Sequence, residues 1–209
     1  VNADDLKSQI LSMKEQAELR DQFLRDRMKT VLPEIMERTG VDMWIIIARE
    51  YNEDPVLRTM LPATWLNARR RTILVIYNPG RNMPLETFAI ARYDVGKIFK
   101  KAWDPEDNPD QYGALAELIS AKNPTKIALN QSKHFAQADG LTATELQLFK
   151  KSLSRKMIKR IVSAEELAIG WLETRSELEM DYYPQICKIA HVIIKEGFSS
   201  NVIKPGKTT

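Results

Sequence analysis

Cysteine, histidine and glycine-rich loops are scarce in this sequence of 209 residues, and each shortage excludes a class of protein. A single cysteine, Cys187, cannot form an internal disulfide framework. The two histidines, His134 and His191, lack the partner spacing of a zinc motif such as H-E-x-x-H. Neither a glycine-rich phosphate loop nor a G-x-S-x-G elbow occurs, and no apolar run approaches the roughly 20 residues that span a bilayer. We therefore expect no self-contained catalytic site, no metal site and no membrane partner.

Positive and negative charges are nearly balanced, with 31 basic and 28 acidic residues and a formal net charge of +3. This balance does not require a polyanionic partner. Two basic runs, 69–71 and 150–160, could contact phosphates, but no aromatic residues interleave with the second run as they do in a single-strand binder. The acidic stretch 104–110 lacks the glycine and glutamate spacing of a calcium loop. We expect a solvated loop there and no nucleic-acid partner.

Apolar runs rich in β-branched residues predict a sheet of about six strands. The first two runs are continuous, as expected of strands that are buried on both faces. Turn residues separate the second, third and fourth runs so closely that we expect antiparallel hairpins. Helical segments alternate with the later strands, which predicts an α/β fold, a mixed sheet with helices on both faces. The candidate strands are Met43–Ala48, Thr72–Tyr77, Leu85–Tyr93, Lys97–Trp103, Thr125–Asn130 and Lys156–Val162.

The first 38 residues have a helical period, because apolar residues recur at steps of three and four. Interruptions at Arg20 and Pro33 predict a kink or two successive helices, and Gly40 is a natural stop. This segment either packs on its own domain or contacts a helix of another subunit. Its apolar positions are Leu6, Ile10, Met13, Ala17, Leu24, Met28, Val31 and Ile35.

Three Ser/Thr-x-x-Glu pairs have the spacing of a helix-capping box. They predict helices that begin after Thr142, after Ser163 and after Ser176. The best domain boundary falls at 175–176, where one helix ends and the next cap begins. Pro184 comes early in the last helix, so we expect the regular part of that helix to start there. The apolar face of the last helix carries Met180, Tyr183, Ile186, Ala190 and Ile193.

The segment between the first two strands, 49–71, concentrates polar and aromatic residues at the carboxyl end of a strand. The α/β sheets often bind ligands at such ends. Two interpretations stay open: a ligand-binding edge, or a surface excursion with Trp65 tucked against the sheet. The candidate residues are Arg49, Asn52, Asp54, Trp65, Asn67 and Arg69.

The order and spacing of five motifs resembles the creatinase, aminopeptidase P and prolidase family, and within it the bacterial Xaa-Pro dipeptidases. The motifs are GVDMWIIIARE, RRRTILVIY, IVSAEELAIGWLETRSELE, IAHVIIKEGF and VIKPGKTT. The resemblance covers essentially the whole chain. It implies a creatinase-like amino-terminal domain over residues 1–175. Over residues 176–209 it implies the first elements of a truncated metallopeptidase domain with the pita-bread fold.

The resemblance also implies a function. The metal ligands of the family lie further downstream and match nothing in this chain, so we expect no catalytic residue, metal ligand or cofactor here. The complete protein would use two divalent cations (Mn, Co or Zn) to hydrolyse the bond before proline in small Xaa-Pro peptides. The amino-terminal domain would build a homodimer or higher homo-oligomer and wall the active-site cleft. The candidate residues of this substrate wall are Arg49, Asn52, Trp65 and Arg69.

Some family members have lost their metal ligands and bind other proteins, so the alternative is a protein-binding module of a catalytically inactive member. In either case truncation would leave the apolar face of the last helix to be buried against the first domain or against a second copy. The chain begins with Val1 rather than methionine. We expect that either a signal peptide or an expression boundary accounts for this, which leaves the compartment open between cytoplasm and periplasm.

Overall fold

A six-stranded mixed sheet with the order β4-β3-β2-β1-β5-β6 organises the chain. The computed structural model describes residues 9–80 and 83–209, so the predicted helix position Leu6 lies outside the described residues. The strands are β1 (Met43–Arg49), β2 (Arg71–Tyr77), β3 (Glu86–Ile90), β4 (Lys100–Lys101), β5 (Ile127–Leu129) and β6 (Ile161–Ser163). The helices are α1 (Met13–Lys29), α2 (Val31–Thr39), α3 (Pro55–Met60), α4 (Gln111–Lys122), α5 (Ala143–Ser152), α6 (Arg155–Ile158), α7 (Glu165–Glu173) and α8 (Glu177–Gly197), with a 3₁₀ turn at Ala136–Ala138. The predicted α/β fold is confirmed.

Strand β1 lies at the centre of the sheet and gives it its mixed character. It pairs antiparallel with β2 and parallel with β5, and β2 pairs antiparallel with β3 as expected. The expected hairpin between β3 and β4 is wrong, because these two strands are parallel. A turn at Gly96, with φ +62°, closes an antiparallel bridge between Val95 and Phe99. Because β4 runs in the same direction as β3, the chain reverses twice between them, and the turn at Gly96 is one of these reversals.

Helices cover both faces of the sheet, as expected. Successive residues of a strand face opposite sides, and β1 follows this rule with apolar side chains on each side. Trp44 and Ile46 belong to a core cluster with residues of α1, α2, α3 and α7. Ile45 and Ile47 belong to a second cluster with residues of α4 and α5. Because both faces of the central strands are buried, the ends of the strands remain as the places where the sheet meets solvent.

The amino-terminal segment forms two successive helices, which confirms one of the two predicted outcomes. The break falls at Thr30, between α1 and α2, and not at Pro33. Pro33 lies in the first turn of α2, where its missing N–H would have had no intrahelical acceptor. Gly40 ends α2 in the left-handed conformation, with φ +63°, as its position predicted.

Strands β3 to β6 are all shorter than the apolar runs suggested, and β4 and β6 depart most from the prediction. The run Lys97–Trp103 contributes only the two residues of β4. Most of the run Lys156–Val162 is not extended, because α6 begins after Ser154, whose Oγ accepts a hydrogen bond from the Met157 N–H at 3.3 Å. Strand β6 therefore starts only at Ile161.

The three predicted capping pairs have different outcomes. Thr142 caps α5, and Ser176 caps α8 with the complete capping box that includes Glu179. The helix predicted after Ser163 is present as α7, but it begins at Glu165 with Ala164 in the capping position, so the predicted capping box does not form. Ser163 is still part of β6, where its hydroxyl donates to the Gln131 carbonyl and accepts a hydrogen bond from the Glu165 N–H at 3.1 Å, so it contacts the first residue of α7 from one residue before the capping position.

Helix α8 begins at Glu177, so the prediction that its regular part starts at Pro184 is wrong. The capping box forms the first turn before the proline is reached. The helix is attached to α1 through Arg27, which is 8% exposed and binds Glu179 at 2.8 Å. The Arg27 guanidinium also donates to the Trp171 and Thr174 carbonyls and lies 4.3 Å from the centre of the Trp171 ring. One buried arginine thereby joins α1, the end of α7 and the start of α8.

The predicted apolar face of α8 is exposed on this chain. None of the α8 residues is buried, and the side chains of Met180, Tyr183, Ile186 and Ile193 are 45–65% exposed. The expectation that the first domain buries this face is therefore wrong, because α8 meets α1 through another face, where Tyr182 contacts Phe23 edge-on at 5.4 Å. The other expected partner, a second copy, remains a prediction. None of the described helices combines the length and the apolarity needed to cross a bilayer.

Candidate functional site

A cleft lined by five arginines opens where β1 ends and β2 begins. We call it the arginine cleft. Its volume is about 740 Å³, within the range of about 300–1,000 Å³ that small-molecule sites occupy. No acidic side chain lines it among the described residues. The lining residues are Arg49, Arg69, Arg70, Arg71, Arg92, Tyr93, Trp103 and Gln111.

The strand register explains why these arginines converge. Antiparallel pairing places Arg49, the last residue of β1, directly opposite Arg71, the first residue of β2. Strand β3 is antiparallel to β2 and ends at Ile90, so its continuation brings Arg92 to the same edge of the sheet. Arg71 and Arg92, which follow Arg49 by 22 and 43 positions in sequence, thus line the same cleft as Arg49.

A buried carboxylate fixes the floor of the arginine cleft. Glu145, from α5, is 1% exposed and accepts a hydrogen bond from Arg71 Nε at 2.7 Å. Its other oxygen lies 3.5 Å from Arg49 Nε. This use of its carboxylate explains why Glu145 does not return the capping bond to Thr142. A buried charge requires such partners, because desolvation without them costs several kcal/mol.

Tyr112 completes the environment of Glu145 by donating its hydroxyl to the carboxylate at 2.5 Å. Burial raises the pKa of the Tyr112 phenol well above its ordinary value, and the hydrogen bond to Glu145 and the charge of Glu145 raise it further. The phenol therefore stays protonated and acts as a permanent donor. Glu145 is thereby fully bonded to Arg49, Arg71 and Tyr112, and this carboxylate forms no ion pair with the other three cleft arginines.

Gln111 holds the backbone at the base of the arginine cleft. Its Nε2 donates to the Arg71 carbonyl at 3.1 Å and to the Ile90 carbonyl at 2.7 Å, which joins the ends of β2 and β3. Its Oε1 accepts from Arg71 Nη1 at 3.4 Å. The Arg71 guanidinium also lies 5.0 Å from the centre of the Tyr112 ring. Arg71 is therefore held in position from three directions.

The rim of the cleft is built from Arg69 and two aromatic rings. The Arg69 guanidinium lies 4.2 Å from the centre of the Trp65 ring and 5.7 Å from that of Tyr93. The two rings meet edge to face at 6.4 Å. Cation–π contacts of this kind are worth about 0.5–1 kcal/mol at exposed sites. They order the Arg69 side chain without neutralising its charge.

Arg70 has a strained backbone between its two arginine neighbours. Its φ of +56° is left-handed, a conformation that costs a non-glycine residue about 1–2 kcal/mol. Two hydrogen bonds to Glu50 hold it there: the Glu50 N–H donates to the Arg70 carbonyl at 2.7 Å, and the Arg70 N–H donates to Glu50 Oε2 at 3.1 Å. Arg70 lies just outside β2, which begins at Arg71, and its side chain lines the cleft.

The structure brings together only part of the predicted substrate wall. Arg49 and Arg69 line the arginine cleft, and Trp65 lies beside it in contact with Arg69. Asn52 does not line the cleft; its N–H donates to the Arg49 carbonyl at 3.0 Å and its side chain is exposed. Sequence reasoning missed Arg92, Trp103 and Gln111, since tertiary contacts bring them to the cleft: strand pairing in the case of Arg92 and side-chain hydrogen bonds in the case of Gln111.

Asp54, another candidate from the same segment, belongs to a separate buried network. It is 0% exposed and caps α3, with Oδ1 accepting from the Val56 and Leu57 N–H groups. The Asn130 amide donates to both carboxylate oxygens, and Trp44 Nε1 donates to Asn130 at 2.8 Å. Burial raises the pKa of the Asp54 carboxyl, and the hydrogen bonds oppose this rise. We assign Asp54 a structural role.

A second cavity, of about 810 Å³, lies beside the edge strand β6, but its charges are mixed. The exposed loop residue His134 lines it, as do lysines and acids in equal numbers. Those charged residues are Lys126, Lys133, Lys150, Asp139, Glu165 and Glu166. This cavity attracts an anion less strongly than the arginine cleft does. Within the described residues, no group of three or more His, Cys, Asp and Glu side chains is placed to hold a metal ion.

Comparison with family models, with curated proteins and with solved structures finds no match to this chain. The arginine cleft and the exposed face of α8 are therefore the features from which a function is proposed.

Proposed function

We propose that this chain is the amino-terminal, non-catalytic part of an Xaa-Pro dipeptidase or aminopeptidase. In this proposal it serves oligomerisation and restricts access to a dinuclear metal active site outside the chain. The observation that supports it best is the apolar face of α8, on which Met180, Tyr183, Ile186 and Ile193 are all at least 45% exposed. Such a face is typical of a helix that packs against further protein.

The energetics of α8 favour a covering partner. Full burial of one large apolar side chain is worth about 1.5–3 kcal/mol, so four such side chains make a substantial contribution to assembly. The helix is also held in a defined direction, because Arg27 and the Ser176–Glu179 capping box fix its first turn. An oriented apolar face suits the formation of a homodimer or a higher homo-oligomer.

The rim of the arginine cleft suits the proposed restriction of access. Trp65 and Arg69 lie on the connection between β1 and β2, and Tyr93 packs against them. A positively charged aromatic rim attracts the carboxylate of a short Xaa-Pro peptide and obstructs a longer chain. In this proposal the rim of one subunit borders the active site of the complete enzyme.

The described residues of this chain do not fit the two metal ions that the proposed enzyme requires. The described part contains no cluster of three potential ligands, and Cys187 and His191 are exposed side chains on α8. Manganese, cobalt or zinc would have to be held by residues outside this chain. We therefore assign no chemical step to any residue described here.

The proposal is tested first by reading the coding frame beyond Thr209. We expect a series of two aspartates, a histidine and two glutamates, and manganese-dependent hydrolysis of an Xaa-Pro dipeptide by the complete protein. Trp65→Ala and Arg69→Ala should then raise the KM for the dipeptide, whereas Arg155→Ala, a distant exposed arginine, should not. Unchanged kinetics in both rim variants would refute the role of the rim.

A frame without that ligand series would favour the alternative, a protein-binding module of a catalytically inactive family member. The exposed face of α8 supports this alternative too, because it does not distinguish a second copy from another partner. Light scattering of the wild-type chain and of an Ile186→Asp variant separates them. A dimer that Ile186→Asp dissociates supports oligomerisation, and a monomer in both cases contradicts it.

A further inference from the structure

We propose that the arginine cleft binds a small oxyanion with two or more negative charges, such as a phosphate ester or a polycarboxylate, through the free guanidinium groups of Arg70 and Arg92, beside the fixed charge of Arg71. This function goes beyond the proposed role in peptide processing and does not depend on it. The binding groups all belong to this chain, so the site is complete without a second domain.

The arginine cleft carries an excess of positive charge. Five guanidinium groups line it, and Glu145 beneath the floor supplies the carboxylate that pairs with two of them. This leaves four positive charges in a cavity of about 740 Å³. Like charges held this close repel one another, so a ligand with several negative charges relieves that repulsion more than a single carboxylate does.

Three of the cleft arginines keep free hydrogen-bonding capacity. Among the described residues, the guanidinium groups of Arg69, Arg70 and Arg92 form no hydrogen bond or ion pair. The two acids that follow Arg92 most closely, Asp94 and Asp104, are paired with Lys100 and Lys101, although the charge of Arg92 also contributes to lowering the pKa of Asp104. Planar guanidinium forks bind phosphate and carboxylate groups through two parallel hydrogen bonds.

Parts of the cleft are held in position before any ligand binds. Arg71 is fixed by Glu145 and Gln111, and the backbone of Arg70 is fixed in its left-handed conformation by Glu50. Binding sites whose groups are held in place before the ligand arrives lose less conformational entropy on binding. Buried Gln111 in the lining and buried Glu145 beneath it, 8% and 1% exposed, distinguish the arginine cleft from a flexible basic surface.

The shape of the site favours a compact ligand over a nucleic acid. The arginines are grouped in one cavity and do not follow a track, whereas proteins that bind single strands combine an extended basic groove with successive stacking rings. Two aromatic side chains, Tyr93 and Trp103, line the cavity beside the arginines. They offer an apolar surface to the uncharged part of an organic phosphate or carboxylate.

The experiment is calorimetric titration of this chain with pyrophosphate, citrate and acetate at constant ionic strength. We expect saturable binding of pyrophosphate or citrate with one site per chain, and binding of acetate at least about tenfold weaker. The arm that binds more tightly identifies the ligand as a phosphate or as a polycarboxylate. Equal, unsaturated responses to all three anions would overturn the proposal, as would tighter binding of a single-stranded oligonucleotide than of either small anion.

Variants locate the binding and separate it from folding. Arg92→Ala and Arg70→Gly should each weaken binding about tenfold, and Arg70→Gly also relieves the backbone strain, so its loss of affinity cannot reflect unfolding. Arg155→Ala, which removes the same charge from the exposed surface of α6, is the matched control. A change in Trp103 fluorescence on binding, absent in Trp103→Phe, should accompany the heat. An equal effect of all three arginine variants would contradict the site.

Discussion

Arginine has opposite roles in two regions of this molecule. At the junction of α1, α7 and α8, Arg27 is 8% exposed and bonded to a carboxylate, to two carbonyls and against an indole ring. In the arginine cleft, three of the five guanidinium groups, those of Arg69, Arg70 and Arg92, form no hydrogen bond or ion pair among the described residues, although Arg69 stacks on the Trp65 ring. The hydrogen-bonding capacity of Arg27 is therefore used within the protein, whereas Arg69, Arg70 and Arg92 keep theirs for a ligand.

The largest effect on stability is expected for Arg27→Ala, which removes the structural arginine. This change leaves Glu179, 17% exposed, without its partner, so we expect the free energy of unfolding to fall by about 3–5 kcal/mol. Urea denaturation measures it. Arg20→Ala, at an exposed position of the same helix, should change stability by less than about 0.5 kcal/mol. Equal losses in both variants would show that the junction contributes little.

The next largest effect is expected for Glu145→Gln, which removes the buried charge beneath the arginine cleft. Arg71 and Arg49 lose their anionic partner, and we expect the free energy of unfolding to fall by about 2–3 kcal/mol. The exposed Glu117→Gln on α4 is the control in the same urea titration. A neutral effect of Glu145→Gln would mean that the floor of the cleft is not held by this carboxylate.

Asp54 differs from Glu145, because its buried carboxylate is surrounded by an amide and N–H groups and not by a cation. Its pKa is raised above the ordinary 3.8, so the folded state binds the proton more tightly than the unfolded state. The contribution of protonated Asp54 to stability is therefore fully present below the ordinary pKa of 3.8. It is lost as the pH rises through the folded pKa, by at most about 1.4 kcal/mol per pH unit.

The measurement is the free energy of unfolding in urea from about pH 3 to about pH 7, for the wild type and for Asp54→Asn. The variant should lose the component that falls with pH, whatever its overall stability. Asp107→Asn, at an exposed loop position, should keep that component. Parallel pH profiles of Asp54→Asn and wild type would contradict the raised pKa.

The smallest effect is expected for Arg70→Gly. Glycine adopts the left-handed conformation without steric cost but loses more backbone entropy on folding, so we expect a net gain of about 0.5 kcal/mol. Arg70→Ala keeps the strain and should not stabilise the protein. Thermal unfolding of both variants checks this difference, and a gain from alanine equal to that from glycine would count against backbone strain at residue 70.

The sequence predicted the parts of the fold that depend on local chemistry. The continuous apolar runs identified β1 and β2, and the hydroxyl groups of Thr142 and Ser176 marked two helix starts. The parallel pairing of β4 was not predictable, because a two-residue strand has no periodic pattern of its own. Ser163 failed as a cap since its position in β6 overrides its local preference.

The candidate site was predictable only where it follows the chain. Arg49 and Arg69 lie at the ends of one segment, and their position after a strand was sufficient to select them. Arg92 and Gln111 reach the arginine cleft through pairing between strands and through side-chain hydrogen bonds, neither of which leaves a local signal. Asn52 was selected by proximity in sequence, but the left-handed backbone of Tyr51, with φ +69°, turns the chain away.

The short outer strand β4 has a consequence for solubility. An exposed sheet edge is a template for pairing with other chains, and natural proteins protect such edges with short strands and with lysine. Both residues of β4, Lys100 and Lys101, are exposed lysines. Growth of the sheet by addition of a further strand at this edge would bring two ammonium groups against the incoming chain. The two lysines therefore protect this edge of the sheet against fibril-like pairing in a protein that also exposes the apolar face of α8.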